Sequence, residues 1–487
     1  MGQKVDKEWF SEEEYQRFAE RLERSLTALR ELLARPGFGA GPESLGAELE
    51  LFVVTPDGYP LPRNEEIRAA VGDDRVVLEL GRFNLEVNLT PVPMAGAPVS
   101  TLAKEIGEAI RTVDGVAREF GGGVVPIGIL PTLAESDFGR GTMSDEVRYR
   151  ALSRGMRRLR LEPFTIRIEG RETLELQVED VILESANTSW QVHLRSQPER
   201  FDELFNAAQL ATGPVLAVAG NSPSFFGRNL WEETRIALFE AAADDRDIER
   251  LYRREGRVAF GSGWVSGGTA ELFERCVRHY EPVLPVSGEE DPIAVVRAGG
   301  VPRLDELRLH QGTVWQWNRP VFDPDDGGHL RVELRSLPAG PTPVDMAANT
   351  AFLVGLVLAL AADTGWTDGF PFANAYRNFY RGARNGLDAM LSWPGRDGEV
   401  PAGELALDLI PLAAAGLESS GVDRDEACNA LEVIRERVER RRTGAIWQRE
   451  AVAALGRDRR SVARMVTRYR ELSFSGEPVH NWPDISE

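Results

Sequence analysis

The sequence predicts an α+β fold in which antiparallel strands are mixed with flanking helices. Two observations carry this. Several short runs alternate apolar and polar residues with the period of two that a half-buried strand requires. The helical runs between them are irregularly placed, which disfavours a doubly wound α/β sheet, where strand and helix come in turn. The length of 487 residues accommodates roughly two to four domains, or one large enzyme domain with a helical tail.

Residues 12–35 place Phe18, Leu22, Leu26, Leu29, Leu32 and Leu33 on one helical stripe, stopped by Pro36-Gly37. Strands are expected over 48–55, 75–80 and 83–89, with a turn at Pro56-Asp57-Gly58. Residues 98–120 read as a long helix, ended by Gly121-Gly122-Gly123 ahead of an apolar strand over 124–130. Residues 164–168 and 173–178 read as a hairpin around Gly170. A strand over 189–195, a helix over 198–211, an apolar run over 214–219 and a loop over 220–227 follow. Further strands are expected over 313–317 and 329–334. Thr342-Pro343-Val344-Asp345 opens an apolar helix with an N-cap, a first-position proline and an acid in the first turn. From about residue 370 the chain reads as mostly helical, turning basic near its end.

Composition narrows the function. Apolar residues make up 42% and charged residues 28%, which excludes disorder over most of the chain. The net charge of −20 repels nucleic acid and anionic lipid, so neither is an expected partner. An anionic substrate would need a local arginine cluster working against that field. Cys276 and Cys428 are too few for a disulfide framework and lack Cys or His at metal-ligand spacing. They read as reduced thiols of a cytoplasmic protein. The N-terminus is too charged for a signal peptide. Residues 346–362 fall short of the ~20 apolar residues of a membrane span and read as a buried core helix. A soluble protein, not bound to membrane, is expected.

Four strand-like runs and one loop offer chemistry. Glu48 and Glu50 share one strand face, with Leu49 and Leu51 on the other. Paired carboxylates repel unless water or a divalent cation lies between them. Glu86 and Asn88 share a face opposite Leu85, Val87 and Leu89. In residues 329–335, His329, Arg331, Glu333 and Arg335 alternate with Leu330, Val332 and Leu334. Such a row suits a site that holds a phosphate and a metal together. Gln191, His193 and Arg195 repeat the pattern. The loop from Asn221 to Gly227 is followed by Arg235. Taken alone, the Glu48–Glu50 pair reads as a solvated strand face, the loop as an ordinary turn and each histidine as a structural one, while the 329–335 row is the sharpest, since a solvated edge strand would more often carry Lys or Thr.

Residues 46–52, 86–91, 188–194, 221–227 with Arg235, and 329–337, in this order, together resemble the glutamate–cysteine ligase-like carboxylate–amine ligases of bacteria and, more distantly, plants. The likeness runs over about residues 40–360. It implies a fold related to glutamine synthetase, whose curved antiparallel sheet holds Mg²⁺ around ATP. It also implies phosphorylation of a carboxylate and attack by an amine. By motif, Glu48, Glu50, Glu86 and Glu333 would be metal ligands. Arg235 and Arg335 would contact the substrate or the transferred phosphoryl group. Gln191, His193, Asn221 and Arg331 would bind substrate or nucleotide. Residues 1–370 would form the catalytic domain, with 371–487 a mostly helical region packed on it. The strand ending Glu333-Leu334-Arg335-Ser336-Leu337-Pro338 departs from the plant pattern, where Gly follows Arg.

The chemistry of the residues agrees with the implied reaction. An amide from a carboxylate requires a better leaving group than hydroxide, and ATP supplies it as phosphate. Mg²⁺ and Arg stabilise the charge spread over the transferred phosphoryl group. Carboxylate ligands suit Mg²⁺, with Mn²⁺ as an alternative, and not zinc. No Gly-x-x-x-x-Gly-Lys-Ser/Thr, Gly-x-Ser-x-Gly or His-Glu-x-x-His occurs. The expected activity joins the γ-carboxylate of L-glutamate to an amine such as L-cysteine, as in glutathione biosynthesis. The alternatives are another acid and amine pair, a non-catalytic binding relative, or a metal-dependent phosphohydrolase. Oligomeric state is open, with a homodimer among the options.

Overall fold

The computed structural model describes residues 5–160, 162–178, 180–246 and 254–485. Its strands are β1 (Ser44–Val54), β2 (Val76–Leu78), β3 (Asn84–Asn88), β4 (Val92–Pro93), β5 (Gly123–Val125), β6 (Phe164–Glu169), β7 (Thr173–Val178), β8 (Trp190–Ser196), β9 (Ser224–Phe225), β10 (Arg228–Asn229), β11 (Asn318–Asp323), β12 (His329–Leu334), β13 (Met390–Ser392) and β14 (Glu399–Pro401). The first helices are α1 (Glu12–Leu33), α2 (Asn64–Val71), α3 (Pro98–Glu119), α4 (Val147–Leu159) and α5 (Phe201–Ala219). Then come α6 (Thr234–Ala242), α7 (Thr269–His279), α8 (Pro292–Arg297), α9 (Asp305–Gln311) and α10 (Pro343–Ala362). The last five are α11 (Phe372–Asn385), α12 (Ala402–Ser419), α13 (Arg424–Glu439), α14 (Gly444–Leu455) and α15 (Arg459–Ser473).

Eight strands form one sheet in the order β11-β12-β8-β1-β3-β2, with β4 and β5 also paired to β1. Every pairing in it is antiparallel, and the sheet curls into a half-barrel. The period of two decides its two faces. Leu45, Ala47, Leu49 and Leu51 of β1, Val192 and Leu194 of β8, and Leu330, Val332 and Leu334 of β12 are buried. They join one core with α3, α5 and α10. Trp190 turns the same way, and its indole N–H donates to Thr350 Oγ1 on α10 at 2.8 Å. The opposite face is free for polar side chains.

Helix starts follow their caps. At α1, Ser11 and Glu14 form a reciprocal capping box. At α10, Thr342 Oγ1 accepts from Asp345 N, with Pro343 in the first turn. By length and composition α10 could cross a membrane, but 89% of its apolar window is buried within the fold. The core runs from Val5 to Val438, across residue 370.

Three expected elements differ. The strand over 124–130 is only Gly123–Val125, because Pro126 has no N–H for the ladder. The carbonyls beyond it are satisfied sideways: Tyr469 Oη donates to Pro126 O at 2.9 Å and Thr188 N to Gly128 O at 2.9 Å. Residues 201–219 are a single helix in spite of Pro214. Its interior proline would cost about 3 kcal/mol in isolation. Here the helix is buried from Leu204 to its end, and it meets α11 so closely that a Cβ on Gly382 would lie 2.5 Å from Gly213 O. Finally, 313–317 is not a strand. Its amides are held by another segment, Trp315 N by Arg257 O at 2.8 Å and Trp317 N by Ala259 O at 3.0 Å. The strand lies one step later, at Asn318–Asp323, an edge position where Pro320 is tolerated. The β13–β14 hairpin also interrupts the expected helical region.

Candidate active site

Strand register brings the polar face together. Arg319 lies opposite Glu333, Glu333 opposite His193, Gln191 opposite Glu48, Glu48 opposite Asn88, and Glu50 opposite Glu86. Glu79 follows β2 two residues after Val77, which faces Glu86, so it shares that face. Residues of α4 and α9 form a roof over the sheet and line, with it, an open cleft of about 640 Å³. The Arg148 guanidinium of α4 lies against Gly312 at the end of α9. Arg308, Gln311 and Trp315 line the same roof.

Five acids and one histidine fall into two groups of three, each with ligand atoms within 4.8 Å of one another: Glu48, His193 and Glu333, and Glu50, Glu79 and Glu86. The first is compensated by the protein's own cations. Glu333 accepts from Arg319 Nη2 at 2.9 Å and from Arg335 Nη1 at 2.8 Å. Burial alone would raise its carboxyl, but these two guanidinium groups hold it well below the carboxylate range. Burial also raises Glu48, but the N–H of His193, with Nε2 3.1 Å from Oε1, and the charge of Arg335 leave it lowered.

The second group is not compensated. Burial, with the charge of Glu79, raises Glu50 to about 7. Burial and then the charges of Glu48, Glu79 and Glu50 push Glu86 well above the ordinary range. Burial raises Glu79, and the neighbouring Glu184 rises well above the usual range for the same reason. Glu50 is oriented by Ser189 N at 2.6 Å and Gln191 Nε2 at 2.8 Å. Gln191 Oε1 accepts from Arg335, so amide and guanidinium form one connected network. Half-buried like charges at this distance require protons or a cation between them. All-oxygen donors fit a hard divalent ion such as Mg²⁺.

In the first group, Arg331 Nε donates to His193 Nδ1 at 3.1 Å. That leaves the ring proton on Nε2, facing Glu48. For Nε2 to bind a cation, the proton must move to Nδ1 and Arg331 must turn aside. Arg331 itself is anchored by Asp323 at 2.6 Å.

The structure therefore brings Glu48, Glu50, Glu86, Glu333, Gln191, His193, Arg331 and Arg335 to one site. Asn221 and Arg235 do not line the cleft; they are buried behind it, where the Arg235 charge still acts on Glu50. Asn221 is fully buried and donates to Ala339 O at 2.7 Å and Tyr469 Oη at 2.8 Å. Its oxygens accept from Gln448, so it ties the loop to α14 and α15. Arg235 is 2% exposed; its guanidinium is taken up by Glu233 at 3.3 Å and by the Ser336 carbonyl. Arg235→Gln would leave Glu233 buried beside an uncharged partner. We expect a loss of about 3–5 kcal/mol of stability, read from urea unfolding, with activity falling only as the fold does.

Sequence reasoning missed Glu79, Glu184, Arg319, Arg148 and Arg308. Glu79 lies at residue 79 of the expected 75–80 strand, on the same parity as Val77, and that spacing was a usable signal. Arg319 belonged to the strand placed one step too early. The roof residues carry no sequence signal, because helices and loops far apart in the chain bring them over the sheet.

The sequence pattern of glutamate-cysteine ligase family 2 matches residues 44–468. The chain belongs to this family. It is an ATP-dependent carboxylate–amine ligase. No curated protein matches the chain. Among solved structures it is similar to the glutamate–cysteine ligase of Francisella tularensis in complex with AMP, at 12% identity and TM-score 0.54, over 90% of each chain. It is also similar to a bifunctional glutathione synthetase of Pasteurella multocida, at 11% identity and TM-score 0.47, over 94% of this chain and 55% of that one. The first likeness shows the shared fold, a curled antiparallel sheet with flanking helices.

Proposed function

We propose that the cavity uses ATP to phosphorylate the carboxylate of an amino acid, L-glutamate at its γ-carboxylate first among them. The acyl group then passes to an amine such as L-cysteine. The observation that carries this reading is the uncompensated group Glu50, Glu79 and Glu86 beside Arg335 in one cleft. These acids would hold Mg²⁺, with Glu48 and Glu333 beside a second position; Mn²⁺ would serve too. A bound Mg²⁺ supplies charge neutralisation for the polyphosphate. Arg335 and Arg331 face the transferred group, where fixed guanidinium charge stabilises negative oxygen. The acid's oxygen attacks the γ-phosphorus and ADP leaves. The amine nitrogen attacks the acyl carbon, phosphate leaves with the C–O electron pair, and the amine loses its proton. Residues 1–370 would supply this chemistry and the C-terminal helices its support, in a cytoplasmic enzyme.

The roof would read the rest of the acid. Among the described residues the ion pair of Arg308 is a loose one, with Asp305 at 3.9 Å, so it and Arg148 are placed to receive a second, non-reacting carboxylate. Arg148→Ala should raise KM for the acid by ~10–100-fold, the value of a hydrogen bond to a charged group, with KM for ATP little changed; steady-state kinetics in each substrate decide it. The reaction itself is tested by hydroxylamine. ATP, L-glutamate and hydroxylamine should give a hydroxamate that depends on the acid. ADP release with no hydroxamate from any amino acid would instead favour a phosphohydrolase.

A further inference from the structure

Glu79 differs from its two partners in how it is held. Glu50 and Glu86 face each other in the ladder between β1 and β3. The β2–β3 ladder ends at Leu78 opposite Leu85, and Glu79 follows it in the segment leading to the turn at Gly81. The backbone of this segment is gripped from elsewhere. Tyr149 Oη, on α4, donates to Leu78 O at 2.7 Å. Ser144 Oγ donates to the carbonyl of Glu79 itself, and Ser144 N donates to Leu80 O at 2.9 Å. Three successive carbonyls are thus taken by two residues. Ser144 is fixed in turn by Asn64, whose Nδ2 reaches Ser144 Oγ at 2.9 Å, Gly81 O at 3.1 Å and Asn84 O at 2.9 Å. Asn64 and Ser144 are both buried.

We propose that Ser144 and Tyr149 are positioning residues for Glu79, which set the distance at which it shares a divalent cation with Glu50 and Glu86. The proposal rests on the metal-binding reading given above. Glu79 lies beyond the end of the β2–β3 ladder, in a segment tied by a single antiparallel bridge between Gly81 and Met143, so its carboxylate depends on these contacts for its place, and a site loosened by about 1 Å loses much of its function. Partners that orient a metal ligand typically contribute ~10–100-fold in metal affinity. Tyr149 also joins the roof to the floor, since its neighbour Arg148 lines the same cavity.

The test is Mn²⁺ binding to the full chain, followed by calorimetry and by electron paramagnetic resonance. The variants are Glu79→Gln, Tyr149→Phe, Ser144→Ala, and each of the last two combined with Glu79→Gln. Tyr149→Phe keeps the ring and removes only the donor, so it reports even where Ser144→Ala fails to fold. We expect Tyr149→Phe to weaken Mn²⁺ binding by about 10-fold, and to add little once Glu79 is already Gln, as for two residues acting through one ligand. Wild-type affinity in Tyr149→Phe overturns the proposal. So does an equal loss with and without Glu79, which would assign Tyr149 to general packing. Unchanged binding in Glu79→Gln itself would overturn the metal reading, and the proposal with it.

Discussion

Arg335→Lys is expected to lower turnover by ~10²–10³, the usual cost of removing one preorganised charge stabiliser, while the melting temperature moves only slightly. The side chain is 11% exposed, and its Nη1 bridges Glu333 Oε1 at 2.8 Å and the Gln191 amide oxygen. Lysine offers a point charge on a flexible stem and cannot hold both groups while presenting a flat edge to a phosphoryl or carboxylate group. Gln191 would then lose the contact that orients it toward Glu50. The fold should tolerate the change because Arg319 still pairs with Glu333 at 2.9 Å, so no buried charge is abandoned. The lost guanidinium–amide hydrogen bond is worth about 1.5–3 kcal/mol, a small shift in melting temperature for a chain of this size. Turnover and thermal melting measured on the same preparation decide between roles. Near-normal turnover would remove Arg335 from the chemistry, and a matching collapse of the melting temperature would make it structural.

How much of this was legible in the sequence depends on distance along the chain. The strand at His329–Leu334 and the face it offers followed from strict alternation, a local property. So did Glu48 and Glu50, and the cap of α10. Whether those faces meet is a matter of strand order, which no local period encodes; the ordered family-like motifs supplied it. Arg235 and Asn221 show the limit. Their residue types suit a binding site, but Glu233, Ser336, Tyr469 and Gln448 claim their hydrogen-bonding groups in the interior, and only three-dimensional packing reveals a competing partner. Pro214 shows the reverse case, a local helix breaker overridden by complete burial.

Glu86→Gln is expected to lower turnover by at least ~10² and yet to stabilise the protein in the presence of a chelator. Burial and the charges of Glu48, Glu79 and Glu50 raise the Glu86 carboxyl far above the value it has in the unfolded chain. A group raised in this way contributes stability that is fully present below its unfolded pKa. That stability is lost as pH rises through the folded pKa. Glu50, raised to about 7, acts in the same sense, so without divalent cation the wild-type protein should lose melting temperature from about pH 5 to pH 8. Glutamine matches the shape of the protonated acid and cannot ionise, so the variant should lose part of that slope and melt above wild type at the alkaline end. Added Mg²⁺ should reverse the order, since it binds and stabilises the folded wild type by mass action and has one ligand fewer in the variant. Melting curves at several pH values, with chelator and with Mg²⁺, give both signs. If Glu86→Gln melts below wild type in chelator at alkaline pH, the carboxylates are not an uncompensated group, and the site would need another account of how it holds charge. A site that gains stability by losing a charge, and loses activity with it, is held together for its ligand and at the expense of its own fold.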